Sequence, residues 1–153
     1  MYSRPIVPNS FSIPQTLKTD EFALMPLTVD NLIKDYDAVM SSVEHLQGLM
    51  GSDDGWPLGL TIEENLIDLG RHQREFTLRH SFAYSVMSND VQQCLGCCYI
   101  YPSMKAEYDV QVFHWIRQEY LSDGLEKRLG LAFKNWLETD WPFSKIDFPD
   151  QKT

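Results

Sequence analysis

Basic residues are scarce in this 153-residue chain. Lysine and arginine number 13 against 22 aspartates and glutamates, which gives a formal net charge of −9 at pH 7. Proteins that bind nucleic acid or anionic membranes depend on clustered cations that neutralise phosphates. The charge balance therefore disfavours both kinds of partner. A phosphate-bearing cofactor would need local donors, such as a helix N-terminus, acting against the field of the whole chain.

Cysteine is equally scarce, since the chain has only Cys94, Cys97 and Cys98. These three lie in one short stretch, so they are not the spaced set of a disulfide framework. The first residues lack the charged and apolar regions of a secretory signal, and no apolar run approaches the roughly 20 residues of a membrane-spanning helix. We therefore expect a reduced, cytoplasmic location and no membrane partner.

The rest of the composition is typical of a globular protein. Hydrophobic residues make up 43% of the chain, and its length suits one domain with its own core. Residues 1–20 carry three prolines and no sustained hydrophobic period. This pattern predicts an irregular N-terminal arm over 1–20 and a single domain over 21–153.

The spacing of apolar residues predicts the element order β, α, α, β, β, β, α, β. In that order, the predicted elements cover residues 22–27, 29–49, 61–79, 82–87, 94–101, 110–117, 125–140 and 144–148. Thr61 and Glu64 have the spacing of a capping box at the start of the second helix. The order predicts an α+β fold whose sheet is an antiparallel meander that ends in one parallel crossover pair.

The residues from Val112 to Leu137 combine a strand, a loop with a glycine and the start of a helix. Trp115-Ile-Arg117 ends the strand, Gln118-Glu-Tyr120 follows it, and Gly124 precedes the helix. This arrangement resembles the GNAT N-acetyltransferase superfamily. In that family a hydrophobic triplet, often followed by Pro-Glu-Tyr, leads into a Gln/Arg-x-x-Gly-x-Gly/Ala loop that opens a helix. The resemblance implies a GNAT-like mixed sheet with helices on both faces.

The resemblance also implies an activity, the acyl-CoA-dependent transfer of an acetyl group to an amine. Backbone groups of Trp115, Ile116 and Arg117 would then hold the pantetheine arm of acetyl-CoA and polarise its thioester carbonyl. The loop would receive the pyrophosphate through residues 122–127. The residues of that loop expected to bind the cosubstrate are Ser122, Gly124, Glu126 and Lys127.

Two positions depart from the loop pattern of the family. Leu121 stands where the family has Gln or Arg, and Glu126 stands where it has Gly or Ala. A carboxylate at 126 would repel phosphates that approach the helix N-terminus. Asp123 and Glu126 also have the spacing of a capping box, in which Glu126 would fold back and fill the anion site. The sequence leaves both interpretations open.

Candidates for the chemistry lie on or beside the central strand. His114 could accept a proton from the amine, because histidine titrates near neutrality, or it could be a hydrogen-bonded core residue. Tyr101, Asp109 and Gln111 flank the same strand ends and could line an acceptor pocket, or could have structural roles. The charged residues of the second helix are expected on its solvated face, and they are Glu63, Glu64, Asp68, Arg71, Arg74 and Glu75.

Cys94 and Cys97 have the C-x-x-C spacing of half a zinc site or a redox pair. The chain's histidines show no paired spacing that would complete a zinc site. Residues 94 and 97 of a regular strand also point to opposite faces. We therefore expect no metal site, and we expect the cysteines to be small buried apolar residues.

Two functions lead the hypotheses: an acetyltransferase, and a catalytically degenerate GNAT-like protein that acts through binding or self-association. A metal or thiol protein that uses the cysteine cluster is a third and weaker hypothesis. Glu126 and the few residues after Phe148 favour the second. An uncovered last strand over 145–148 would expose unpaired backbone groups, which favours a homodimer. Pro149 could instead blunt that edge, or the arm at 1–20 could cover it.

Overall fold

A computed structural model describes residues 2–50 and 54–149. Its strands lie in one sheet in chain order: β1 (Leu17–Lys18), β2 (Phe22–Pro26), β3 (Phe82–Ser88), β4 (Cys94–Pro102), β5 (Val110–Ile116) and β6 (Ile146–Asp147). Neighbouring strands are antiparallel except for β5 and β6, which are parallel. The predicted α+β class and the meander with one parallel crossover pair are confirmed.

The helices are α1 (Leu32–Met40), α2 (Val43–Leu46), α3 (Ile62–Thr77) and α4 (Leu125–Asp140), with 3-10 turns at Val29–Asn31 and Gln118–Asp123. The helical segment predicted over 29–49 is therefore broken. The predicted capping box of α3 is present, because the Thr61 hydroxyl accepts from the Glu64 N–H at 3.1 Å and the Glu64 carboxylate accepts from the Thr61 N–H at 2.9 Å. No helix in the described part of the chain is long and apolar enough to cross a membrane.

Helices cover both faces of the sheet, as the resemblance implied. On one face, Leu129, Phe133 and Trp136 of α4 pack against alternate residues of β2 to β5. On the other face, α1 and α3 cover the remaining residues of the same strands, and Val39 and Leu69 contact that core. The two layers bury both sides of β3, β4 and β5, so residues that point to either face are buried along most of each strand.

The N-terminal arm packs along the domain and is held by hydrogen bonds at several points. The Ile6 N–H donates to the Arg79 carbonyl at 2.9 Å, and the Arg79 guanidinium donates to the Pro8 carbonyl at 2.8 Å. The Tyr84 hydroxyl donates to the Pro14 carbonyl at 2.7 Å. Within the segment predicted to be irregular, Leu17–Lys18 form β1. A strand of two residues is too short to show alternation, so the sequence pattern could not indicate it.

A β-bulge in β4 changes the faces on which the cysteines lie. Val86 pairs with Gly96 but Met87 pairs with Cys94, so Leu95 is an extra residue in β4. Cys94 and Cys97 consequently both lie in the core under α1 and α3. The expectation that they point to opposite faces is wrong, because one inserted residue shifts the alternation of the strand.

Gly96 permits the closest approach of β4 and β5. A Cβ atom built at Gly96 would lie 1.9 Å from the Trp115 carbonyl oxygen, which is backbone and cannot rotate away. Any side chain at this position would therefore push the two strands apart.

We expect Gly96→Ala to destabilise the fold by about 3 kcal/mol or more, because the added methyl forces a shift of backbone. Gly70→Ala in α3 is the matched control. Its Cβ would meet only a Val29 methyl at 3.9 Å, so we expect the better helix propensity of alanine to stabilise by about 0.5–1 kcal/mol. Urea denaturation of both variants measures the difference, and equal stabilities would contradict the role given to Gly96.

Candidate functional site

One edge of β5 is paired with β6 at its start and, within the described residues, unpaired along the rest of the strand. The parallel pair is formed only at Val110 with Ile146 and Gln111 with Asp147. From Val112 to Ile116, no strand of the described chain pairs with this edge of β5. An unpaired strand edge presents backbone N–H and C=O groups to whatever lies beside it.

A tight loop joins this open edge to the start of α4. Gly124 has φ 82°, the left-handed conformation that favours glycine, and it is the residue immediately before the first turn of α4. The Asp123 carboxylate accepts from the Leu125 N–H at 3.0 Å, and the Arg128 guanidinium donates to the Asp123 carbonyl at 3.0 Å. The start of the helix is therefore held by residues on both sides of Gly124.

The capping-box interpretation of Asp123 and Glu126 is wrong. A capping box needs the glutamate at the third helical position to accept from the backbone N–H of the capping residue. Here Gly124 occupies the capping position, which moves Glu126 to the second position of α4. The Glu126 carboxylate instead lies 3.6 Å from His45 Nε2 of α2, so it does not fill the helix N-terminus.

The predicted cosubstrate residues fall into two groups. Ser122, Gly124 and Lys127 are exposed around the start of α4, and Glu126 is half-buried beside them. Trp115 and Ile116 are buried on opposite faces of β5, where the Trp115 indole N–H donates to the Tyr99 hydroxyl at 3.0 Å. The side chains of the second group are used in the two cores, so only their backbone groups can reach a ligand.

Arg117 is buried, and its guanidinium is fully engaged within the protein. It donates to the Cys94 carbonyl at 2.7 Å and to the Glu119 carboxylate at 3.0 Å, and it forms an ion pair with Asp37 of α1. It also donates to the Ser41 hydroxyl at 3.3 Å. These contacts fix the loop to the end of α1.

Sequence reasoning missed Arg128, which places a further cation at the start of α4. Its guanidinium donates to both carboxylate oxygens of Glu21, at 3.1 and 2.8 Å, and both side chains are about half exposed. Its position one turn after Gly124 was the available signal, because a side chain there reaches back over the start of the helix.

The three predicted catalytic residues lie in three different places. His114 points toward α4, and a Cβ built at Gly130 would lie 3.2 Å from its ring. Tyr101 lies on the opposite face of the sheet and stacks on Tyr99 with ring centroids 5.6 Å apart. Asp109 is exposed at the start of β5. Its carboxylate accepts from the backbone N–H groups of Ser144 and Lys145, at 2.7 and 3.0 Å, and these bonds lower its pKa. The structure therefore does not bring the three together.

A cavity of about 610 Å³ lies on the face that carries α1 and α3. Tyr99 and Tyr101 of β4 contribute to its walls, with Trp56 from the loop before α3. The cavity is also lined by Asp35 of α1 and by polar residues of α3, namely Asn65, Asp68, Arg71, His72 and Glu75. The prediction that Asp68 and Glu75 lie on the solvated face of the helix is wrong, because their positions on α3 face this cavity.

Asp35 is one of two deeply buried acids of the cavity, since it and Glu75 each have 3% of their surface exposed. The Asp35 carboxylate has only neutral hydrogen-bond partners. One carboxylate oxygen accepts from the Asn65 amide at 2.9 Å, and the Cys97 thiol donates to the other at 3.7 Å. Burial, which disfavours the charged form, raises the pKa of Asp35 to about 6.

His72 and Asp68 are also perturbed by burial. Burial lowers the pKa of His72 to about 4, so the imidazole that packs against Tyr99 is neutral at pH 7. Burial raises the pKa of Asp68, although the Arg71 guanidinium at 2.7 Å opposes that shift. Perturbed groups gathered in a cavity are typical of functional sites, and none of these three was selected from the sequence.

Cys94 and Cys97 lie in the core on the face that carries this cavity, whereas Cys98 lies in the core on the opposite face, under α4. All three are buried and unpaired, and burial raises the pKa of Cys98 well above its ordinary value. Among residues 2–50 and 54–149, no three or more His, Cys, Asp or Glu side chains are arranged to hold a metal ion. The structural role of the cysteines stays a prediction.

Solved structures with the same fold are acetyltransferases. One, the ribosomal-protein-S5-alanine acetyltransferase of Vibrio fischeri, is 12% identical and aligns over 81% of this chain and 67% of its own, with a TM-score of 0.65. RimL, a ribosomal L7/L12 α-N-protein acetyltransferase in complex with coenzyme A, is 13% identical over 82% and 70%, with a TM-score of 0.66. The microcin C7 self-immunity acetyltransferase MccE, bound to acetyl-CoA and AMP, is 10% identical over 83% and 69%, with a TM-score of 0.62. No protein-family model and no curated protein matches the sequence.

These likenesses show that the chain has the GNAT fold, as its strand, loop and helix pattern predicted. The chain spans about two thirds or slightly more of the length of these three structures.

We expect the stability of the protein relative to its Asp35→Asn variant to fall as pH rises through the range from about 4 to about 6. The native state holds the Asp35 proton more tightly than the unfolded chain, so unfolding releases it in that range and becomes easier with rising pH. The shift from 3.8 to about 6 corresponds to about 3 kcal/mol.

Urea denaturation at acidic and neutral pH measures this change. Asp30→Asn is the control, because Asp30 is an exposed acid just before α1. A difference between protein and variant that does not change with pH would contradict the buried, proton-binding role of Asp35.

Proposed function

We propose that the chain is an acyl-CoA-dependent N-acetyltransferase that transfers an acetyl group to an amine. The observation that carries this proposal is the open edge of β5 from Val112 to Ile116, which leads directly into the Gly124 turn and the start of α4. A thioester laid along the open edge would find backbone donors for its carbonyl oxygen. Its phosphates would meet the positive end of the α4 dipole.

The reaction forms one bond and breaks one. The deprotonated amine attacks the thioester carbonyl carbon, and a C–N bond forms. The C–S bond breaks, the nitrogen loses one proton to a base and keeps the other as the amide N–H, and coenzyme A takes up a proton as it leaves as the thiol. Backbone N–H groups around Trp115 to Arg117 that face the open edge would stabilise the negative oxygen that develops, a contribution that is commonly several kcal/mol in such catalysis. The Arg117 N–H is not one of them, because it donates to the Leu95 carbonyl at 2.8 Å.

The start of α4 supplies the charges for the pyrophosphate. Lys127 and Arg128 bring two cations to the first turn, whereas Glu126 brings a carboxylate. The Arg128 pair with Glu21 is half exposed, and exposed ion pairs contribute little to stability. Arg128 can therefore exchange this partner for a phosphate, which guanidinium groups bind well.

Of the three proposed catalytic residues, Tyr101 is the one that contacts the cavity. Burial raises its pKa, so its hydroxyl stays protonated at neutral pH and can donate to an acceptor or to a departing thiolate. His114, on the opposite face, would act from the α4 side. Asp109 would act from the start of β5, where it holds the two residues that precede β6.

The alternative is a GNAT-fold protein that binds or self-associates without catalysis. Two observations favour it, the carboxylate of Glu126 at the start of α4 and the use of the Leu125 N–H by Asp123. Both remove part of what a pyrophosphate would bind.

Acetyl-CoA binding distinguishes the two functions. We expect Glu126→Ala to tighten binding about fivefold, because a like charge worth about 1 kcal/mol leaves the phosphate path. Stability should change little, because the capping box is absent. Gly124→Val should weaken binding and stability together, since valine disfavours a φ of 82° and its Cβ would lie 2.9 Å from the Arg128 guanidinium.

Calorimetry with acetyl-CoA measures the affinities, and thermal unfolding measures the stabilities. Glu138→Ala is the matched control, because it removes an exposed carboxylate from the same helix about 18 Å away. Binding that is undetectable at millimolar acetyl-CoA would refute the enzyme and leave the binding protein.

A homodimer through the β6 edge is a further prediction. Among the described residues β6 has a strand neighbour on one side only. Its Asp147 is ion-paired with Lys105 at 3.3 Å. Static light scattering at micromolar protein tests the prediction, and a monomer there would contradict it.

A further inference from the structure

The cavity between α1, α3 and β4 carries an excess of negative charge. Four carboxylates line it, on Asp35, Asp54, Asp68 and Glu75, and the lining includes one guanidinium, that of Arg71. Arg71 pairs with Asp68 at 2.7 Å, and Arg74, outside the lining, pairs with Glu75 at 3.4 Å. His72 adds no charge at neutral pH. Such a cavity attracts cations and repels carboxylates and phosphates.

Aromatic rings form a second and independent part of the same walls. Tyr99 and Tyr101 stack with an angle of 10° between their ring planes. The ring centroids of Tyr2 and Tyr101 are 6.0 Å apart. Trp56 contributes from the loop side. Aromatic faces attract ammonium groups, and rings combined with carboxylates are a common way of binding organic cations.

The Asp35 carboxylate lacks a cationic partner among the described residues. It is almost fully buried, and a buried carboxylate is costly unless a cation pairs with it. Its two hydrogen-bond donors, Asn65 and Cys97, are neutral, and none of the ion pairs among the described residues includes Asp35. A cation supplied by a ligand would complete this arrangement.

We propose that this cavity binds a small organic cation, with a primary ammonium group directed at Asp35 and an apolar stem against Tyr99, Tyr101 and Trp56. The volume of about 610 Å³ is that of a small-molecule pocket. The second step of the proposal is that the bound cation is the acetyl acceptor. This step rests on the proposed function.

The position of the cavity fits this second step. Tyr101 contacts Phe113 of β5 with ring centroids 6.1 Å apart, and the other edge of β5 is the open one. The cavity and the open edge are therefore separated by β5, whose width is about 5 Å. Binding in the cavity and binding at the α4 loop can be measured separately, because the cavity residues and the loop residues do not overlap.

The test uses three probes of similar shape: phenethylammonium, the neutral phenethyl alcohol and the anionic phenylpropionate. Calorimetry on the full chain at neutral pH should show the ammonium binding at least about tenfold tighter than the alcohol, and the carboxylate not binding. Equal affinities for ammonium and alcohol, or no ammonium binding at about 10 mM, would overturn the proposal.

Variants locate the site. Asp35→Asn should weaken ammonium binding about tenfold or more while leaving acetyl-CoA binding unchanged. Tyr101→Leu should weaken ammonium and alcohol alike, because it removes an aromatic wall. Glu63→Gln, an exposed acid of α3 outside the cavity, is the charge control and should change neither affinity. Ammonium binding that survives Asp35→Asn would overturn the assignment.

The two proposals fail in different ways. Ammonium binding without acetyl-CoA binding supports the cavity assignment and refutes the transferase. If both ligands bind, mass spectrometry of the probe after incubation with acetyl-CoA tests the acceptor step. The acetylated amide supports that step, and an unmodified probe overturns it.

Discussion

The contact between Gly96 and the Trp115 carbonyl sets the register on which both ligand regions depend. The absence of a side chain at 96 lets β4 and β5 approach, and the bulge at Leu95 begins beside it. The bulge turns Cys97 and Tyr99 toward α1, where Cys97 meets Asp35. The same register lets the Arg117 N–H donate to the Leu95 carbonyl at 2.8 Å, which fixes the end of β5 where the α4 loop begins. The close approach of the β4 and β5 backbones at Gly96 thus positions both the β4 residues that face α1 and the end of the open edge of β5.

Arg117 couples the two regions on the helix side. Its guanidinium joins the β4 backbone at Cys94 to Asp37 near the end of α1, and the Gln118 N–H donates to the Ser42 hydroxyl at 3.0 Å. A buried cation of this kind is held by several partners and is costly to leave unpaired. The helix that forms one wall of the cavity is therefore bound to the loop that precedes α4, and a shift of either would move the other.

Sequence patterns predicted the elements that depend on local signals, such as a helix cap, or on the periodic spacing of apolar residues. The strand predicted over 110–117 is β5, Val110–Ile116, and the Thr61 cap marked the start of α3. The bulge at Leu95 was not predictable, because one added residue shifts the face of every later side chain without altering composition. The capping box at Glu126 was one of two interpretations left open by the sequence, because the spacing fits, but the left-handed Gly124 moves the helix start by one residue. The cavity was missed because Asp68 and Glu75 look like solvated helix residues until α1 and β4 are packed against them.

The two candidate ligands place opposite demands on a chain of net charge −9. The negative field of the whole protein favours a cation in the cavity. Such a cation needs, in addition, only a cavity of fitting shape and a buried carboxylate. A pyrophosphate at α4 is opposed by that field, so it depends on the helix dipole and on Lys127 and Arg128 at close range. Water screens long-range fields within about 10 Å at moderate salt, whereas contacts between touching groups are screened much less. An acidic protein can therefore keep an anion site and a cation site one strand apart, provided that the anion site is built from donors in direct contact.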